Sequence, residues 1–235
     1  MWNLFILFIT VIISGSMIYL IKYNQKNLKL LLSFSGAFLI GIAFMVLAPE
    51  VFHNSVPYLG LFVIIGFIIQ LILELITEGA EHGHTHVHSD GEKLSPFLLL
   101  MGLSIHAFLE GTPLISPIAK NVQNSLVVGI VVHNIPISLT LMSLFIHYGL
   151  SKSKSFLFLI IFALMTPLGA IFGKFIITDG ITKYFPYIMA VVIGIFLHVS
   201  TSILFETGEN HKYNLQKFAT VILGLIMAFG VSFIE

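Results

Sequence analysis

Long apolar runs separated by short polar breaks set the pattern of this chain from one end to the other. A run needs about 17–25 residues to cross a bilayer as a helix. Runs of that size fall at residues 2–21, 30–52, 57–77, 95–118, 125–147, 155–178, 186–206 and 217–234. The pattern therefore predicts eight transmembrane helices in a single membrane domain over residues 1–235. The breaks are KYNQKNLK, HNSVP, AKNVQNS, GLSKSKS, TDGITK and ENHKYNLQK, plus one longer segment at residues 78–94. None is long enough for a separate soluble domain. The first run starts at Trp2 with no positive residue before it, and Lys22, Lys26 and Lys29 follow it. That is the reverse of a secretory signal peptide, so the run is read as the first span.

Composition sharpens this to an all-α integral membrane protein. Charged residues make up 9% of the chain and hydrophobic ones 57%, where a soluble domain carries about 25% charged residues. The formal net charge is zero, which argues against nucleic acid as a partner and leaves the lipid bilayer and small ions. With no cysteine, disulfides and thiolate metal sites are excluded, and borderline or harder divalent ions are favoured over copper(I). All 11 basic residues are lysines. Eight of them follow spans 1, 3, 5 and 7, and only Lys120, Lys174 and Lys183 lie on the other side. The positive-inside rule puts the eight-lysine side in the cytoplasm and both termini outside it. The expected location is the cell (inner) membrane, with multiple passes.

Polar groups inside the runs carry the candidate chemistry. In SIHAFLEGTPL, residues 104–114, His106 and Glu110 are four apart and share one helical face. The next run holds His133 and Asn134 just before Pro136. A charge at mid-bilayer costs on the order of 2.5–3.5 kcal/mol even on lenient scales, so such groups mark sites or pathways. His106, Glu110 and His133 are predicted to hold one divalent ion, with Asn134 equally suited to ligation or hydrogen bonding. Pro113, Pro117 and Pro136 free carbonyls and bend these spans. MTPLGAIFG, in span 6, carries small residues that permit close helix contact. Auxiliary metal candidates are His198 and Glu206 in span 7 and Glu50 at the end of span 2. His198 also suits interhelical hydrogen bonding, and Glu74 and Glu78 suit the membrane interface. His82, His84, His86 and His88 alternate along the loop at 78–94 and suit loose metal gathering on the cytoplasmic side.

These motifs resemble the ZIP family of divalent-metal transporters. His106-Ala-Phe-Leu-Glu110-Gly111 resembles the family's H-N/S-x-x-E-G, and His133-Asn134-Ile135-Pro136 its H/Q-N/D/E-x-P-E-G. Met165-Thr166-Pro167-Leu168-Gly169 is similar to its E-P-x-G, and the end of span 7 to its L-P-E. The chain departs from these patterns at Ala107, Ile137, Ser138 and Thr166. The resemblance implies a two-metal centre within the membrane, of which His106, Glu110 and His133 remain for one ion and Asn134 as a remnant for the second. A single-ion centre is therefore expected. The resemblance further implies uptake of Zn²⁺, or of Fe²⁺, Mn²⁺, Cd²⁺ or Co²⁺, into the cytoplasm by alternating access between spans 4 and 5. A homodimer is compatible with it. No prosthetic group and no enzymatic activity are expected. Two alternatives are an integral-membrane zinc hydrolase, in which the same groups would activate water, and a metal-sensing family member without flux. No His-Glu-x-x-His run supports the hydrolase.

Overall fold

A computed structural model describes residues 2–20, 24–53, 56–77, 95–115, 122–176, 182–206 and 215–233. The described residues fold as helices and turns: α1 (Trp2–Ser16), α2 (Gln25–Ile42), α3 (Ala48–His53), α4 (Leu59–Thr77), α5 (Pro96–Gly111), α6 (Gln123–His147), α7 (Lys152–Ile176), α8 (Phe185–Glu206) and α9 (Leu215–Val231). α2 and α3 form one continuous rod through a π-helical turn at Ala43–Leu47. The result is eight apolar rods. Six are long and apolar enough to cross a membrane, and α5 and α9 are shorter apolar helices. This is a multi-pass membrane protein. The histidine loop, including His82, His84, His86 and His88, lies outside the described residues.

Local chemistry sets the helix ends. The Asn24 side chain accepts a hydrogen bond from the Lys26 amide at 2.9 Å and caps α2. Pro96 opens α5 in the first turn, where no amide partner is needed. Lys217 donates to the Leu204 carbonyl at 2.7 Å, covering an orphan acceptor near the end of α8. The π-helical turn precedes Pro49, which has no amide to give to the Met45 carbonyl and whose ring crowds it. Widening the turn before the proline accommodates this crowding without ending the rod.

α5 is shorter than its apolar run. Hydropathy predicts a span over 95–118, yet the helix closes at Gly111 and continues only as turns through Ile115. Pro113 has no amide to give to the Leu109 carbonyl, and that carbonyl is taken instead by Thr112 at 3.2 Å. α5 therefore ends one residue after Glu110.

Glycines bring certain helices into backbone contact. A Cβ on Gly66 of α4 would overlap the carbonyl of Val191 on α8, and one on Gly194 of α8 would overlap that of Val63 on α4. Between α5 and α7, Gly111 abuts the Thr166 carbonyl, Gly169 the Phe108 carbonyl and Gly173 the Thr112 carbonyl. Small residues let helices pack without the hydrophobic drive that water supplies elsewhere. The buried side chains form two clusters. One is built mainly on the α2–α3 rod, α8 and the first half of α6, through Leu126, Val127 and Ile130. The other is built on α1, α5, α7 and the second half of α6, through Ile137, Leu141 and Phe145. The segment His133–Pro136 sits where α6 passes from one cluster to the other.

Candidate metal centre

The spacing that puts His106 and Glu110 on one face of α5 works as expected: His106 Nε2 lies 3.4 Å from Glu110 Oε2, and both side chains are fully buried. α6 brings in the third group. His133 is fully buried, and its ring meets that of His106 at 5.8 Å and 72°. Donor atoms of His106, Glu110 and His133 all lie within 4.8 Å of one another. Tetrahedral coordination with bonds of ~2.0–2.2 Å sets donor atoms ~3.3–3.6 Å apart. The His106–Glu110 separation of 3.4 Å matches that value, and the separations to His133 are no more than 4.8 Å. Two imidazoles and one carboxylate form a donor set that suits zinc and similar divalent ions.

The early end of α5 adds a second attraction. The last carbonyls of a helix have no intrahelical partner and carry the negative end of its dipole. Glu110 sits in that last turn, so the backbone there favours a cation as the carboxylate does. On α6, Pro136 has no amide for the Val132 carbonyl, next to His133.

Asn134 is buried at 1% exposure, and among the described residues neither its amide oxygen nor its nitrogen has a hydrogen-bond partner. A buried amide in that state costs ~1–3 kcal/mol, so its place beside His133 is not explained by packing. Ile137, one turn beyond His133, is buried and aliphatic, and Ser138 bonds to Ser14 of α1 at 2.5 Å. Thr166 faces the Gly111 contact. Positions where the family pattern carries a glutamate thus add apolar wall or helix packing.

The auxiliary candidates fall elsewhere. His198 on α8 pairs with Glu74 of α4 at 3.2 Å, and its ring packs edge-on against Phe67 at 4.7 Å. Ser202 donates to the same Glu74 oxygen at 3.3 Å. Glu74 is thus tied to α8 rather than simply reaching the interface. Glu50 lies partly exposed on α3 and does not enter the converging set. Glu206 closes α8, and its side chain lies outside what is described. Sequence reasoning missed Gln70 of α4, whose Oε1 is 2.8 Å from His106 Nδ1. The signal was a single amide inside the apolar run FIIQLIL.

Comparison with known proteins covers the stretch of chain that carries His106, Glu110 and His133. A family model described as ZIP Zinc transporter matches residues 78–232, about two thirds of the chain. Protein zntD of Dictyostelium discoideum is 31% identical over 144 residues, covering 56% of this chain and 20% of that protein. Zinc transporter foi of Drosophila melanogaster is 26% identical over 151 residues, covering 62% of this chain and 21% of that protein. The alignments thus span about a fifth of the length of these relatives. The chain belongs to the ZIP zinc transporter family.

Proposed function

We propose that this protein carries a divalent metal cation, Zn²⁺ foremost, across the membrane into the cytoplasm, binding one ion at a time through His106, Glu110 and His133. The observation that carries this reading is the convergence of two imidazoles and a carboxylate in a fully buried position. Burying such groups for packing alone is costly, and the donor set is one that zinc accepts. Asn134, unpartnered one residue from His133, is the fourth group that could complete the shell or receive the ion next. Glu50 and Glu206 lie at the C-terminal ends of spans that run in opposite directions, and would serve approach from outside and departure into the cytoplasm. His82, His84, His86 and His88 would gather ions on the cytoplasmic side.

Alternating access would follow from movement between the helices that share the α5–α7 glycine contacts and those that share the α4–α8 contacts. The bound form needs deprotonated ligands, so affinity falls as pH drops. One membrane domain, cytoplasmic placement of the eight-lysine side and residence in the cell (inner) membrane complete the reading, with a homodimer compatible with it. That the foi relative is a zinc transporter by name favours the ion as cargo over the ion as hydrolytic cofactor.

Zinc uptake into liposomes or cells tests this directly. Glu110→Ala and His106→Ala should each reduce uptake to near background. Wild-type flux in both variants would overturn the site. Metal binding without flux in the wild-type chain would favour the sensor reading.

A further inference from the structure

α4 supplies no member of the triad, yet it holds one of them. Gln70 lies near the middle of α4, is fully buried, and places its side-chain oxygen 2.8 Å from His106 Nδ1. An amide oxygen only accepts. His106 must therefore donate from Nδ1, and a neutral imidazole with its proton there has a lone pair on Nε2. That Nε2 is the atom 3.4 Å from Glu110 Oε2.

We propose that Gln70 is the positioning residue of the metal centre: its side-chain oxygen locks His106 in the Nδ1-protonated tautomer, with the Nε2 lone pair aimed at the gap shared with Glu110 and His133. This rests on the metal reading of the triad. In the opposite tautomer, Nε2–H would donate to the Glu110 carboxylate and close both groups to an ion. Metal-binding histidines commonly have their second nitrogen fixed by such a partner. A neutral amide does this without adding a second negative charge to a site that has one carboxylate.

The geometry depends on how α4 meets α5. Gly102, one turn before His106, accepts the Thr77 methyl group of α4 where a Cβ would overlap it. That close approach brings Gln70 within reach of His106. The complete ligand orientation therefore exists only in this register of α4 against α5, and sliding one along the other releases His106 from its partner.

The test uses the full-length protein in detergent with ¹⁵N-labelled histidine, and long-range ¹H–¹⁵N spectra that distinguish the two tautomers without metal. The His106 signals are assigned by their loss in His106→Gln. Wild-type His106 should carry its proton on Nδ1. Gln70→Met, similar in size but without the acceptor, should shift His106 towards the other tautomer and raise the zinc Kd about 10–100-fold. Its thermal unfolding should stay that of the wild type. Gln70→Glu restores an acceptor of the kind that fixes metal-binding histidines, and should keep the tautomer and a Kd close to that of the wild type. A wild-type His106 protonated on Nε2, or a Gln70→Met protein with unchanged tautomer and Kd, would overturn the proposal. Should the wild-type chain bind no zinc while Gln70→Met still changes the tautomer, the positioning role stands and the metal reading alone fails. If Gln70→Met does not fold, Gln70→Leu and the wild-type tautomer decide the matter.

Discussion

Glu110 is the one carboxylate in the converging set, so it should dominate affinity. Glu110→Gln keeps shape and removes charge. Its zinc Kd, measured by titration in detergent, should rise more than about 100-fold, beyond the ~10–100-fold that loss of an outer partner costs. His106, Glu110 and His133 were legible in the sequence because two of them obey the i, i+4 rule and the third follows in the next run. Gln70 and Glu74 were not legible as partners, since His106 is 36 residues from one and His198 is 124 from the other. Such pairings arise from helix packing and leave no local spacing. Their polarity in an apolar run was the visible trace. Ile137 tests the single-ion expectation from the other side. The family resemblance puts a glutamate there, and Ile137→Glu should raise bound zinc, counted by elemental analysis, from one towards two ions per chain.

At the level of elements, hydropathy found the eight rods but not their ends. It could not see that Pro113 stops α5 at Gly111, because Leu114 and Ile115 continue the apolar run. Nor could it see how the rod before Pro49 absorbs the proline, since a π turn and a kink have the same sequence signature. Small residues in span 6 did announce close contact, and Gly169 and Gly173 make it with α5. A branched side chain at Gly169 must push against the Phe108 carbonyl, two residues from Glu110. Gly169→Val should lower the unfolding free energy by roughly 1–3 kcal/mol, as overpacking does, and should reduce zinc affinity as well. Gly230→Ala, with open space around it, should leave unfolding within about 1 kcal/mol of the wild type or slightly raise it. Thermal unfolding of the three proteins in one detergent makes the comparison.

For the molecule as a whole, lysine bias predicts which ends of the rods face the cytoplasm, and the lack of cysteine makes this simple to check. A single cysteine at Thr85 should react with an impermeant maleimide only after the membrane is opened, and reaction in intact cells would reverse the assigned orientation. Binding should weaken as pH falls, because protons compete for the two imidazoles and the carboxylate. Zinc titrations between mildly acidic and neutral pH should show Kd falling as pH rises.

In the proposed centre, one carboxylate and two neutral imidazoles would also set the electrical character of the site. With Glu110 ionised, the empty centre carries one negative charge, and the centre loaded with a divalent ion carries one positive charge. Each elementary charge moved through a 100 mV potential is worth about 2.3 kcal/mol. A membrane that is negative inside therefore pulls the loaded centre inward and drives the empty centre back out, over whatever part of the field the site crosses. In the proposed inward cycle, both halves would gain. In liposomes with an imposed potassium diffusion potential, zinc uptake should quicken as the interior is made more negative. In Ile137→Glu, with two carboxylates ionised and two ions bound, the loaded centre carries two positive charges and the empty one two negative charges, so the dependence on voltage should steepen.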